Sequence, residues 1–64
     1  MVDLTDAACA FLVRFVGRGW IHAVRDDDLE QAAVDLGLRR NWLRREGDEA
    51  HFTAAGRQHL GGEA

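Results

Sequence analysis
Proline and lysine are absent from these 64 residues, and cysteine occurs only once. With no proline, no internal repeat and no linker-like stretch, nothing divides the chain, and residues 1–64 read as a single domain with a flexible tail at 61–64. The lone Cys9 has no partner for an internal disulfide. A domain this small must therefore hold itself together by packing or by a partner, and an oxidising compartment is not indicated. The longest wholly apolar run, Ala7 to Val13, is far short of the roughly 20 residues that cross a bilayer. No membrane span is expected. Because no basic region precedes that run, it does not read as a secretory signal, and the cytoplasm is the expected location.

Catalytic signatures are missing as well. No nucleophile stands beside a base, and no paired carboxylates or phosphate-binding glycine loop can be recognised. Gly17-Arg18-Gly19 lacks the strand-to-helix setting that a nucleotide site needs. Cys9, His22, His51 and His59 show none of the short spacings of structural zinc sites. The expectation is a protein that is not an enzyme, with no cofactor and no metal. Cys9 reads as a small buried hydrophobe.

What is present is an ordinary globular balance, 47% hydrophobic and 30% charged, with a net charge of −3. The charge is segregated: residues 1–37 carry three arginines against seven acids, whereas 38–45 carry four arginines and no acid. All the basic side chains are arginine, which suits bidentate contacts to carboxylate or phosphate.

Leu4, Ala8, Phe11, Leu12, Phe15 and Val16 recur at helical spacing, and Asp3 or Thr5 can cap the start, so 4–17 reads as an amphipathic helix. Gly17 and Gly19 end it. The segment Trp20 to Arg25 is an apolar connection, either a strand or a short helical turn, with Trp20 expected in the core. Asp27 with Glu30 resembles a capping box, followed by a helix through Leu29, Ala33 and Leu36 that closes at Gly37 as a left-handed cap. Trp42–Arg45 and Ala50–Phe52 flank Glu46-Gly47-Asp48-Glu49, the pattern of a short β-hairpin. Thr53 caps a last helix through Leu60, which Gly56 weakens. The fold class is thus α+β and mostly α: a long N-terminal helix, a second helix, a hairpin and a short C-terminal helix.

The stretch Leu29–Leu60, about half the chain, resembles the second half of winged-helix domains. Phe52-Thr53-Ala54-Ala55-Gly56-Arg57 looks like the exit from the wing in MarR-like regulators. That resemblance implies a winged-helix-like domain, a fold found in both DNA-binding regulators and protein-interaction modules. Only residues 3–37 are available for the three helices that normally precede a wing. In one register the helix at 28–36 takes the recognition position, and it is acidic. In the other, Ala33, Gly37 and Leu43 mark a helix-turn-helix, and 38–45 becomes a recognition helix instead of a wing strand.

Two surfaces follow. Asp26, Asp27, Asp28, Glu30 and Asp35, with Trp42 as an aromatic contact that can equally be core, form a candidate protein-binding surface able to occupy a basic, nucleic-acid-binding groove on a partner protein or complex. Arg39, Arg40, Asn41, Arg44 and Arg45 form the alternative, a grip on DNA phosphates and base edges. The negative charge and the acidic helix favour a protein partner for a monomer or homodimer. In size and charge the chain looks like the small inhibitors and regulators of phages and mobile elements, anti-CRISPR proteins among them. The alternative is a winged-helix transcriptional regulator.

Overall fold
The computed structural model describes residues 4–61. The expected cap Asp3 and the tail beyond Gly61 lie outside the described residues. The first helix, α1 (Leu4–Val16), buries Ala8 and Leu12 completely and sets Phe11, Phe15 and Val16 partly against the same core. It stops where Gly19, at φ 92, gives its N–H to the carbonyls of Phe15 and Val16. The chain then runs extended as β1 (Trp20–His22), which settles the 20–25 segment in favour of a strand. Successive side chains of a strand point to opposite faces. Ile21 therefore enters the core, and Trp20 with His22 is left on the other face, so Trp20 is not the core residue its size suggested.

The second helix, α2 (Asp28–Arg39), is capped by Asp27, whose carboxylate accepts the Glu30 N–H at 3.1 Å. This is half of the expected capping box, because the Glu30 side chain turns away to pair with Arg25. Gly37 does not end the helix. It lies inside α2, where an added Cβ would meet Leu43 Cδ1 at 2.5 Å, so the glycine is there to let helix and sheet approach. The stop comes four residues later: Asn41 takes φ 67, its N–H bonds Leu38, and the Trp42 N–H bonds Gly37 at 2.8 Å. Those two bonds are a Schellman motif with asparagine at the left-handed position. Asn41→Gly is expected to raise stability by about 0.5–1 kcal/mol, read as a higher chemical-denaturation midpoint, because glycine adopts this conformation without a Cβ penalty.

The hairpin β2 (Leu43–Glu46) and β3 (Glu49–Phe52) turns through Gly47 at φ 65 and Asp48. A recognition helix over 38–45 is thereby ruled out: the segment holds the end of α2, its cap and most of the first hairpin strand. The sheet order is β1-β3-β2, antiparallel throughout. Ile21, Leu43, Ala50 and Phe52 share one core with Ala8, Leu12, Ala33 and Val34 of the helices. The final helix, α3 (Ala54–Leu60), follows directly from β3. Three helices and a three-stranded sheet, with a hairpin between α2 and α3, make an arrangement compatible with a winged-helix-like topology, in which a strand and two helices precede the wing. No helix is long and apolar enough to cross a membrane among the described residues.

Candidate interaction site
The acids that precede and open α2 have unequal duties. Asp27 is occupied as the cap. Glu30 accepts from Nε and Nη2 of Arg25 at 3.3 and 3.1 Å, and that guanidinium also lies 5.7 Å from the ring centres of both Phe11 and Phe15. These two acids hold the entry to α2 in place. Asp26, Asp28 and Asp35 stay exposed, Asp35 receiving only a long 3.4 Å bond from Gln31. Asp28, Ala32, Asp35 and Arg39 follow at helical spacing, so the outward stripe of α2 is acidic until its last turn.

Two apolar side chains near the start of α2 are exposed as well. Val24 is 65% exposed and Leu29 49% exposed, on either side of the Asp26–Asp28 run. Val24, His22, Arg25, Asp26 and Glu30 line one depression, and Thr5, Ala32, Asp35, Leu36 and Arg39 line a groove between α1 and α2. In the sequence Val24 reads as part of the apolar connection and Leu29 as part of the apolar stripe of the second helix, whereas both are exposed. Gln31, which carries no signal of this role in the sequence, accepts the Arg25 N–H at 2.8 Å and donates to the Ala23 carbonyl at 3.0 Å through its side-chain amide, fixing the turn from β1 into α2.

The arginines do not converge. Arg39 borders the α1–α2 groove, and Arg40 caps α2 with its guanidinium 5.9 Å from the Trp42 ring. Arg44 pairs with Glu46, and Arg45 donates its Nε to the Gly47 carbonyl at 2.9 Å. Strand alternation sends Arg44 and Arg45 to opposite faces of the sheet. The Asn41 carbonyl is engaged by the Thr53 hydroxyl at 2.6 Å. Trp42 is only 7% exposed, stacked against His59 at 4.6 Å, and belongs to the core.

The bond from Arg44 holds the Glu46 carboxyl below its usual range, with the arginine's charge adding to the effect. Partial burial, with the Asp6 charge next in size, raises the Cys9 thiol against a smaller opposing effect of Arg40. Cys9 is therefore held as the thiol, the less nucleophilic form. Among the described residues no polar or charged side chain is buried, and no group of three or more His, Cys, Asp or Glu is placed to hold a metal ion. Comparison with protein-family models, with curated proteins and with solved structures finds no match for this chain.

Proposed function
We propose that this chain is a non-enzymatic binding protein whose partner is another protein, met by the outward face of α2 and the turn before it. The observation that carries this reading is the exposure of the acids Asp26, Asp28 and Asp35, together with that of the apolar Val24 and Leu29 at the entry to α2. Apolar contacts bordered by charge are how specific protein interfaces are built, and the charges steer the encounter. The helix that stands where a winged helix carries its recognition helix has no cation before Arg39, so it repels phosphate and attracts a basic surface. In this reading the protein is an inhibitor or regulator that occupies a basic, nucleic-acid-binding site on its partner, as small acidic proteins of phage type do.

The test separates this surface from the scaffold. Asp26, Asp28 and Asp35 are replaced together by lysine, leaving the cap Asp27 and the ion-paired Glu30 in place. The triple variant is expected to keep its far-ultraviolet circular dichroism and to lose at least about tenfold in affinity for a partner captured by the native protein. In parallel, titration with double-stranded DNA at low salt is expected to show no binding. Tight, salt-sensitive DNA binding that Arg44→Ala with Arg45→Ala abolishes would overturn the proposal in favour of a DNA-binding regulator.

A further inference from the structure
The sheet face turned away from the helices carries Trp20 and His22 from β1, Glu49 and His51 from β3, and Arg44 and Glu46 from β2, none of them buried. The register sorts these six side chains into two rows that cross all three strands. One row reads Trp20, His51, Arg44, and the other reads His22, Glu49, Glu46. On every strand the two rows already touch: Trp20 meets His22 edge to face at 4.9 Å, His51 Nε2 lies 3.0 Å from Glu49, and Arg44 is ion-paired with Glu46. The first row is the cationic side, reinforced by the Arg18 guanidinium over the Trp20 ring at 4.9 Å. The second is anionic. Glu46 and Glu49 are direct cross-strand partners, a like-charged juxtaposition that costs the isolated sheet stability.

We propose that this face is self-complementary and joins two copies of the chain about a twofold axis. Consider an axis in the plane of contact, running across the strands between the two rows. Rotation about it lays the first row of one copy over the second row of the other. Arg44 then faces Glu46 of the second copy, His51 faces Glu49, and Trp20 faces His22, each pairing occurring twice, as an isologous contact requires. Charge complementarity selects this occupant. A polyanion would be opposed by Glu46 and Glu49, and an acid-poor basic surface by Arg44 and Arg18. A partner with the same two-row pattern satisfies both rows, and a second copy has that pattern. Glu46 of each copy thereby gains a second arginine. Trp20 supplies the aromatic anchor at one end. The contact involves far fewer than the roughly 20–30 residues a side of a standard interface, so the dimer is weak, reversible and weakened by salt.

The decisive experiment uses two single variants, Arg44→Glu and Glu46→Arg, at positions whose side chains are 74% and 49% exposed, so the fold tolerates both. Sedimentation velocity of the native protein over a wide concentration range at low salt is expected to show a monomer–dimer equilibrium that retreats at high salt. Either variant alone sets like charges against each other across the axis and is expected to stay monomeric. An equimolar mixture of the two restores opposite charges at both positions, and heterodimer is expected to return to about the native extent. Mixing cannot repair a broken pair within one chain, so recovery distinguishes the interface from a purely structural role. A native protein that stays monomeric at every concentration, single variants that still dimerise, or a mixture no more associated than its components would overturn the proposal. So would a monomer that binds a single-stranded oligonucleotide through Trp20, since the face would then belong to nucleic acid.

Discussion
Gly56→Ala is expected to destabilise the domain by about 3 kcal/mol or more, read as a collapse of the thermal midpoint, although alanine is the better helix former. Two effects of opposite sign meet at this position. Removing a glycine from a helix gains about 1 kcal/mol. The added Cβ, however, would press on the Trp42 carbonyl oxygen and stand 2.8 and 2.9 Å from the carbonyl carbon and Cα of Trp42. All three atoms are main chain, held by the bond from the Thr53 N–H to the Trp42 carbonyl at 2.9 Å, so no rotamer change relieves the clash. Overpacking alone costs about 1–3 kcal/mol where side chains can yield. Here the alternative is to lift α3 off the end of α2, so the steric effect wins. An alanine variant as stable as the native chain would show that α3 does not sit against Trp42.

Trp42→Ala is expected to abolish the cooperative unfolding transition at ordinary temperature. Burial of the indole to 7% exposure places it among the large core side chains whose truncation costs about 3–5 kcal/mol. A chain of 64 residues has a total stability of only about 3–10 kcal/mol, so that loss removes much or all of it. The same ring carries His59 on its face, and its backbone closes the α2 cap and receives the Thr53 N–H, so α2, β2 and α3 all meet there. Loss of partner binding in this variant is expected to follow loss of folding. Equal losses in circular dichroism and in binding would bear this out. A folded variant that has lost only binding would instead make Trp42 a contact residue.

The elements that local chemistry dictates were legible in the residues. The helical spacing of Ala8, Leu12, Phe15 and Val16 names α1 and its buried side. Asp27 and Thr53 read as caps and are caps, because a short polar side chain ahead of an apolar run has a free helix amide within reach. Gly47-Asp48 reads as a tight turn and is one. The meaning of Phe52-Thr53-Ala54-Ala55-Gly56 was only half visible. That Thr53 caps α3 is a local matter, whereas its hydroxyl bond to the Asn41 carbonyl and the closeness of Gly56 to Trp42 join parts of the chain more than ten residues apart.

The candidate surfaces were less legible for the same reason. A run of arginines at 39–45 looks like one cation patch on paper, yet a helix end, a left-handed Asn41 and an alternating strand send its members in different directions. A run of acids at 26–30 looks uniform, yet two of them are spent on a cap and on Arg25. By itself the sequence determined the helices, the N-caps of α2 and α3, the hairpin turn and the segregation of charge, since each depends on neighbours within a few residues. Only the tertiary structure decided that Gly37 is a point of helix–sheet contact instead of a stop, and that Trp42 is buried while Trp20 lies on the open face. It also decided which six side chains share that face, because burial and cross-strand register depend on partners that the chain brings together only when it folds.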